Sequence, residues 1–484
     1  MAKKRLRDIV VLLPGILGSV LQKDGTDIWA PSSQAAWNSL TSFGDALQGL
    51  LLHDDDHTVD ALGDGIQATR LMPDVHFVPG LVKIDGYTAT RHLIENSFQV
   101  KPGNRFDHRP ANFIEFPYDW RRDNRVAARQ LKQLIDRQLP LWRESSGAED
   151  AKVIIVAHSM GGIIARYYLE VMEGWRDCRA LITFGTPYRG SFDALNFLAN
   201  GYKQLFIDLT EVMRSFSSVY QLLPIYKAVQ IDGNYQRVAE IEGIPGIVRA
   251  RAEQALAFHR AIENAVNEHR KGIAYLQDSY TILPIVGTHQ PTYQSAALIG
   301  GRLTVERTLP AAIDDLLSDG DGTVPMLSAI PIELSEKYHD TFFPERHGSL
   351  QRNVHVLKHL RSRLERMQIR GLPTARGPDE APEAAEQPAI SLELEDLYVT
   401  GEPVELRAQL LNVSEQVRAE PPEAMIEPVN AGGAPMRKPF QIEGDSWVLK
   451  LDGLPAGLYR LEVRTPRAGA GAPPAVHDLF GIAQ

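Results

Sequence analysis

The sequence is poor in cysteine, in excess positive charge and in long apolar runs. Its single cysteine, Cys178, cannot form an internal disulfide, so we predict a reducing compartment and a cytoplasmic protein. The net charge of -10 argues against nucleic acid as a partner, because phosphate backbones attract basic surfaces. No apolar run approaches the roughly 20 residues that span a bilayer, so we expect any membrane contact to be peripheral.

What the sequence does contain is a serine between a strand-like run and a helix-like run. In KVIIVAHSMGGIIARYYLE, residues 152–170, Ser159 has the position of the nucleophile in a nucleophile elbow. Such a turn is tight, and we attribute the small residues Ala157 and Gly161 to close approach of the positions on either side of the serine. The hydroxyl is expected at the head of a helix, where free N–H groups favour a developing oxyanion.

An acid and a histidine follow the serine in the order that an α/β-hydrolase requires. SDGDGTVP supplies Asp321 and ERHGSLQRN supplies His347, each on a glycine-containing loop. We therefore predict a triad of Ser159, Asp321 and His347, in which the histidine takes the serine proton and the acid orients the histidine. Nearby residues of the same types compete for the two roles: Asp314, Asp315, Asp319, His339, His355 and His359.

The start of the chain carries the expected oxyanion turn. RDIVVLLPGILGSVL reads as a buried strand that ends at Pro14 and Gly15, so the N–H of Ile16 is predicted to donate to the oxyanion together with the N–H of Met160. Basic residues followed by an apolar run also resemble a secretory signal. Because PG and GS interrupt that run, we favour the strand.

Seven segments in one order resemble the lecithin:cholesterol acyltransferase-like branch of lipases and acyltransferases, particularly its bacterial members. They are PGILGSVL, DIWAPSS, FPYDWRRDNR, AHSMGG, FGTPYRGS, GDGTVP and RHGSLQRN, and the similarity spans roughly residues 8–365. The resemblance implies an α/β-hydrolase fold, the same Ser/Asp/His triad and ester-bearing lipids as substrates. It also suggests that Trp29 belongs to the wall of the site. It leaves the acyl acceptor open, since the family includes both phospholipases and transferases.

Two insertions and one aromatic segment are predicted to contact the substrate. Residues of about 34–80 and 195–260 carry apolar side chains at helical spacing, which is typical of a helical cap over the serine but equally of ordinary packing. PYDWR follows a strand-like run, at the sheet edge where α/β proteins bind ligands, and its Asp119 is expected to pair with Arg121 or Arg122. The candidate substrate-binding residues are Trp29, Tyr118, Trp120, Tyr188, Phe206, Leu209 and Met213.

The composition changes near residue 370. Residues 370–389 are rich in Pro, Ala and Glu without an apolar period, which predicts an extended linker after a hydrolase domain of residues 1–369. Residues 390–484 alternate apolar and polar positions between turn signals, so we predict a small all-β domain, most economically an immunoglobulin-like sandwich. This domain could bind a protein partner, associate with itself or protect the hydrolase.

These features predict a serine esterase or lipase that hydrolyses or transfers the acyl groups of lipids, with phospholipids favoured, through an acyl-enzyme. The chemistry requires no cofactor. We expect no metal either, because the contiguous HDDDH run at residues 53–57 has no ligand spacing and reads as a solvated acidic loop. Two alternatives remain: a carboxylesterase for small soluble esters, and a catalytically silent hydrolase scaffold that acts as a binding module.

Overall fold

The structure, a computed structural model, describes residues 3–30, 49–73, 75–78, 82–204, 207–313, 315–334, 341–368, 387–429, 433–466 and 471–483. Residues 370–389, which we predicted to be a linker, lie mostly outside these ranges. Phe206, Asp314, His339 and much of the 34–80 insertion also lie outside them.

The strands before the linker are β1 (Lys4–Arg5), β2 (Ile9–Leu13), β3 (Ser19–Lys23), β4 (Thr26–Trp29), β5 (Ile66–Leu71), β6 (His76–Val78), β7 (Val82–Ile84), β8 (Phe98–Gln99), β9 (Pro102–Asn104), β10 (Phe113–Glu115), β11 (Val153–His158), β12 (Cys178–Phe184), β13 (Lys203–Gln204), β14 (Ile207–Asp208), β15 (Val229–Ile231), β16 (Asn234–Gln236), β17 (Thr281–Gly287), β18 (Ser295–Ile299), β19 (Arg302–Glu306) and β20 (Phe342–Phe343).

Seven of these strands form the central sheet, in the order β20-β17-β12-β11-β2-β10-β9. Every pairing in this sheet is parallel. The reason for burial on both faces is visible in β2, where Ile9, Val11 and Leu13 belong to one hydrophobic core and Val10 and Leu12 to another. Successive side chains of a strand point to opposite faces, so a continuous apolar run supplies both cores. The α/β class predicted from the sequence is confirmed.

Helices cover the central sheet and connect its parallel strands. They are α1 (Thr88–Ser97), α2 (Asn124–Ser146), α3 (Met160–Arg166), α4 (Phe192–Asn200), α5 (Thr210–Ser215), α6 (Ser217–Tyr220), α7 (Arg249–His269), α8 (Ile273–Asp278), α9 (Met326–Ala329) and α10 (Val354–Met367). A π-helical turn covers Tyr167–Val171, and short 3₁₀ helices cover Gly174–Asp177, Val238–Glu240, Asp315–Leu317, Ile332–Leu334 and His347–Ser349. Among the described helices, none is long and apolar enough to cross a membrane.

Local sequence explains where the longer helices begin and end. The Asp123 side chain accepts a hydrogen bond from the N–H of Arg125 and so caps the start of α2, while Gly147 ends the helix with φ 67°. Asn353 caps α10 in the same way by accepting from the N–H groups of His355 and Val356. The cap of α10 matters for the site, because this helix begins directly after the loop that carries His347.

The predicted second insertion, residues 195–260, folds over the carboxyl end of the sheet. It contains most of α4, the helices α5 and α6, the hairpins β13-β14 and β15-β16, and the first half of α7. β15 and β16 join β18 and β19 in a four-stranded sheet, and β3, β4 and β5 form a separate three-stranded one. The insertion is therefore a mixed layer of helices and short strands.

The C-terminal domain, residues 387–483, is built from two sheets around their own core. Its elements are β21 (Ala389–Glu393), β22 (Leu397–Val399), β23 (Val404–Leu411), α11 (Glu415–Arg418), β24 (Glu423–Pro428), β25 (Met436–Pro439), β26 (Gln441–Glu443), β27 (Ser446–Leu451), β28 (Gly457–Arg464) and β29 (Val476–Ala483). One sheet has the order β21-β23-β27-β26 and the other β22-β29-β28-β24-β25. All pairings are antiparallel except β22 with β29. The immunoglobulin-like type stays a prediction.

Candidate active site

Ser159 stands on a strained turn between β11 and α3. Its backbone has φ 51° and ψ −127°, a conformation that costs energy for a residue with a side chain. Hydrogen bonds hold the turn: the N–H of Ser159 donates to the carbonyl of Phe184 at 2.8 Å, and the N–H of Gly162 donates to the carbonyl of Ser159 at 3.0 Å. A strained, well-held turn of this kind exposes the serine hydroxyl at the end of a strand.

The turn after β2 also requires a small residue at Gly161. A Cβ at this position would lie 2.5 Å from the carbonyl oxygen of Pro14 and 3.1 Å from Cβ of Leu13, so the neighbouring strand end excludes a side chain. Ala157 is not among the nearest contacts. The elbow is therefore pressed against the turn that follows β2, which brings the predicted oxyanion turn next to the serine.

The three predicted triad side chains meet in one hydrogen-bonded chain. Nε2 of His347 lies 3.0 Å from Oγ of Ser159, and Nδ1 of His347 lies 2.7 Å from Oδ2 of Asp321. Ser159 is 6% exposed and Asp321 only 1%. Charged hydrogen bonds are strong when water is excluded, so the acid holds the imidazole with Nδ1 protonated and leaves Nε2 free to accept the serine proton.

The acid loop is held from two sides. Oδ1 of Asp321 accepts from the N–H of Thr323 at 3.0 Å and of Val324 at 2.7 Å, which leaves Oδ2 for the histidine. The N–H of His347 donates to the carbonyl of Asp321 at 2.9 Å, so the acid and histidine loops are also joined through the backbone. Of the described competitors, His355 and His359 lie on α10 and Asp319 is two residues from the acid.

Glycine is required beneath the triad. Gly185 has φ 54°, and a Cβ there would lie 2.7 Å from Oδ2 of Asp321 and 2.8 Å from Nδ1 of His347. Either contact would push the acid and the histidine apart. Gly185 follows β12 directly, so the end of this strand lies directly against the hydrogen bond between Asp321 and His347.

The predicted oxyanion donors flank the serine. Met160 is the first residue of α3, and Ile16 lines the same cavity as Ser159. No turn, loop or cap hydrogen bond of the described chain uses the N–H of either residue. Both groups are thus available to an anionic oxygen formed beside Oγ of Ser159, and the role of each stays a prediction.

Two buried tyrosines hold the oxyanion turn, a feature that no sequence motif indicated. The Tyr118 hydroxyl donates to the carbonyl of Pro14 at 2.8 Å, and the N–H of Gly15 donates to the Tyr87 hydroxyl at 2.8 Å. Burial raises the pKa of both tyrosines, so both stay protonated. Nδ1 of His158 lies 3.0 Å from the same Tyr87 hydroxyl.

His158 continues this chain of hydrogen bonds to the triad. Burial, and then the nearby His347, lower the pKa of His158 to about 3, so the ring is neutral at physiological pH. Nε2 faces the carbonyl oxygen of His347 at 3.2 Å, and a carbonyl oxygen can only accept. The single ring proton is therefore on Nε2, and Nδ1 accepts from the Tyr87 hydroxyl. Gly15, Tyr87, His158 and His347 are therefore linked, and the oxyanion turn and the histidine loop share one support.

A cavity of about 190 Å³ opens over the serine, with one apolar and one charged set of lining residues. The apolar set comes from the oxyanion turn, β7 and the second insertion. It comprises Ile16, Leu17, Ile84, Ala194, Phe197, Met213, Val219 and Leu222. A ligand with an apolar chain and a polar group would match both sets.

The candidate substrate residues are not all in this cavity. Met213 lines it, and its contact with substrate stays a prediction. Leu209 is 1% exposed and belongs to the main core, and Phe206 lies outside the described residues. Tyr188 lies away from the serine, where its hydroxyl is 2.9 Å from Oγ1 of Thr183.

The aromatic residues of PYDWR and Trp29 are core residues beside the cavity. Trp29 and Trp120 pack edge to face with ring centroids 5.2 Å apart. Their indole N–H groups donate to the carbonyls of Leu17 and Ser19, respectively. Neither tryptophan nor Tyr118 lines the cavity. Their rings are buried in the core, and their N–H and O–H groups donate to backbone carbonyls.

The predicted ion pair of PYDWR is present. Arg121 is fully buried and donates from Nε and Nη2 to Asp119, at 2.9 and 2.6 Å. The expectation of a solvated acidic loop at HDDDH is wrong for Asp55, whose side chain is 6% exposed and pairs with Arg122. Among the residues that the structure describes, no group of three or more His, Cys, Asp or Glu side chains could hold a metal ion.

The charged part of the cavity was not predicted. Lys83 and Arg346 line it and pair with two carboxylates from the C-terminal domain, Asp396 and Asp478. Asp193, on the first turn of α4, also lines it. Burial, followed by the charges of Asp321 and Asp396, raises the pKa of Asp193 to about 7.

Comparison with known proteins gives a family match across the site. The model of the lecithin:cholesterol acyltransferase family matches residues 82–352, a range that contains Ser159, Asp321 and His347. The human lysosomal phospholipase A and acyltransferase is 31% identical over 119 residues, which are 22% of this chain and 27% of that protein. The chicken phosphatidylcholine-sterol acyltransferase is 27% identical over 127 residues, 25% of this chain and 28% of that protein.

The chain thus spans little more than a quarter of the length of these curated relatives. Among solved structures, the crystal structure described as a Tle4-Tli4 complex overlaps 75% of this chain and 99% of its own, with 15% identity and a TM-score of 0.47.

Proposed function

This chain belongs to the lecithin:cholesterol acyltransferase family, and from that premise we propose that it is a serine enzyme that hydrolyses or transfers the acyl groups of lipid esters. The observation that carries the proposal is the hydrogen-bonded chain from Ser159 through His347 to Asp321 at the wall of an open cavity. We propose phospholipids as the substrates, because the cavity combines an apolar set of residues with a charged set.

The geometry supports a two-step mechanism. Oγ of Ser159 attacks the ester carbonyl while its proton passes to Nε2 of His347, and the negative oxygen of the tetrahedral intermediate lies against the N–H groups of Ile16 and Met160. His347 then gives the proton to the leaving alcohol oxygen, which leaves an acyl-enzyme. Water or a second alcohol repeats the steps in reverse, with His347 as base, and regenerates the serine.

The apolar and the charged lining residues of the cavity support separate positions for the acyl chain and the polar part of a lipid. The acyl chain would lie against Phe197, Met213 and Leu222. Burial of each CH₂ of the chain there would stabilise the complex by about 0.8 kcal/mol. The polar part of the lipid would face Lys83 and Arg346. This arrangement favours an amphiphilic ester over a small soluble one.

The first test is mass spectrometry of lipids after incubation of the purified protein with mixed phospholipid vesicles that contain a long-chain alcohol. We expect free fatty acid with lysophospholipid, or an alkyl ester, from the wild type and none above background from Ser159→Ala, since loss of a triad member removes most of the catalysis. Ser145→Ala, an exposed serine on α2, is the matched control and should behave as wild type.

The same experiment separates the alternatives. Hydrolysis of p-nitrophenyl butyrate without any lipid product would reject the lipid substrate in favour of a small-ester carboxylesterase. A folded wild type that neither hydrolyses p-nitrophenyl butyrate nor takes a fluorophosphonate label at Ser159 would reject the enzyme and leave the binding scaffold. Fatty acid and alkyl ester as products would distinguish hydrolase from acyltransferase.

A further inference from the structure

We infer that the C-terminal domain is a working part of the active site: it holds the acid loop and the histidine loop in position, and it contributes Asp396 and Asp478 to the cavity wall. The inference rests on the proposed function, because it assigns a role toward the same triad. It goes beyond that function by giving the all-β domain a task within its own chain, where the sequence left partner binding, self-association and protection open.

The acid loop is tied to the C-terminal domain by one buried side chain. Gln290 is fully buried, and its backbone N–H donates to the carbonyl of Gly320, the residue before Asp321, at 2.9 Å. Its side-chain Nε2 donates to the carbonyl of Ile390 at 2.9 Å, and its Oε1 accepts from the N–H of Leu392 at 3.2 Å. An amide supplies both the donor and the acceptor that the backbone of β21 needs here.

The histidine loop is tied to β29 by a buried carboxylate. The Glu345 side chain is fully buried, and its Oε1 accepts from the N–H of His477 and from the N–H of Arg346, both at 2.9 Å. Its Oε2 lies 2.7 Å from Nδ1 of His477 and accepts from Nδ2 of Asn353 at 2.8 Å. A buried carboxylate is costly without such partners, and two of the four contacts of Glu345 come from His477 of the C-terminal domain.

Arg346, which directly precedes His347, makes the third connection. Its Nη2 donates to the carbonyl of Leu392 at 2.7 Å, and its Nη1 pairs with Asp478. Asp478 is 5% exposed and also accepts from Nζ of Lys83 at 3.2 Å. Charges on both sides of the domain boundary are thus neutralised only when the domain is in place beside the cavity.

The contacts of Gln290, Glu345 and Arg346 with the C-terminal domain lie within one or two residues of Asp321 or His347 along the chain or through one backbone hydrogen bond. Misplacement of a catalytic group by about 1 Å can cost about 100-fold in rate, so anchoring of both loops has a direct consequence for catalysis. Docking of the domain does not depend on them alone. Arg307 pairs with Glu393, and Val75 packs with Leu458 and Leu479 at other points of the boundary.

The test compares variants that loosen the loops with one that breaks an unrelated contact at the same boundary. Gln290→Leu and Glu345→Leu remove the two anchors, and Glu345→Gln keeps the oxygen that accepts from the backbone. Neither position lines the cavity, so neither variant changes a substrate contact. Glu393→Gln is the matched control, because it removes the partner of Arg307 and leaves both loops untouched.

We expect kcat for p-nitrophenyl butyrate to fall about 10- to 100-fold in Gln290→Leu and Glu345→Leu, with KM within about twofold of wild type. Glu345→Gln should recover part of the loss, and Glu393→Gln should match wild type. The profile of kcat/KM against pH should change in Gln290→Leu, because a looser acid loop holds the imidazole less firmly.

Thermal unfolding and the rate of fluorophosphonate labelling complete the test. If Glu345→Leu does not fold, Gln290→Leu and Glu345→Gln carry the comparison. Folded variants with wild-type kcat and an unchanged pH profile would overturn the inference while the proposed function stands. A wild type without serine-dependent hydrolysis would instead overturn the proposed function, and the inference with it.

Discussion

At the scale of single residues, the hydroxyl of Tyr87 connects the oxyanion turn with the histidine loop. It accepts from the N–H of Gly15 and donates to Nδ1 of His158, whose other nitrogen faces the carbonyl of His347. We expect Tyr87→Phe to lower the free energy of unfolding by about 1–3 kcal/mol, since it leaves buried polar atoms unpaired. We also expect kcat to fall about tenfold, because the oxyanion turn loses its support.

Tyr188→Phe is the control for this prediction. It also removes a buried hydroxyl, here one that contacts Thr183, but not one near the oxyanion turn. Urea unfolding should show a comparable loss of stability in both variants, whereas esterase kinetics should show a lower kcat only in Tyr87→Phe. Equal kcat values in the two variants would contradict the role that we assign to Tyr87.

At the scale of an element, α10 fixes the position of the loop before it through one apolar face. Val356, Leu360 and Leu364 recur every four residues and are buried in the same core as Val10 and Leu12 of the central sheet. We expect Leu360→Ala to lower the free energy of unfolding by about 2–5 kcal/mol, because it leaves a cavity in a packed core.

The control for α10 is Val354→Ala on the same helix. Val354 is 57% exposed, so this change should stay within about 0.5 kcal/mol of wild type in urea unfolding. A similar loss in both variants would contradict the assignment of the stability of α10 to its packed face, because Ala is the better helix former at either position.

Elements also show how far sequence reasoning reaches. The strand-turn-helix around Ser159 follows from a local pattern, since an apolar run, a small-residue turn and a helical run each reflect backbone chemistry within a few residues. The sequence did not indicate the contacts with Leu13 and Pro14 that exclude a side chain at Gly161, because these residues are far away in the chain. We expected Trp29, Tyr118 and Trp120 to contact substrate, but they are core residues. The sequence could not show this, because a local pattern does not indicate which side of a sheet edge other elements cover.

At the scale of the whole molecule, His477 makes the association of the two domains depend on pH. Burial alone would lower the pKa of His477, but the charge of Glu345 and its hydrogen bond outweigh burial and raise it, with Glu462 in the same sense and Arg352 opposed. A raised pKa means that the pair stabilises the folded protein fully below the unfolded value of about 6.5 and that this stabilisation is lost as pH rises through the folded value.

We therefore expect the difference in Tm between wild type and His477→Gln to be largest near pH 6 and to shrink as the pH is raised. Differential scanning calorimetry at several pH values would measure it, with Arg407→Gln, which alters an exposed pair within the C-terminal domain, as the control. A difference that grows with pH would contradict the assignment of a charged His477 to Glu345.

The sequence by itself determined the class of the main fold, the order of Ser159, Asp321 and His347, and the presence of a separate all-β region. These properties depend on short-range signals: apolar period, glycine in tight turns and a change of composition. Only the tertiary structure decided that Gln290 and Glu345 join the triad loops to that region, and that Asp396 and Asp478 complete the cavity. The physical reason is that these contacts link residues a hundred or more positions apart. Their pairing depends on how whole domains pack and leaves no local pattern.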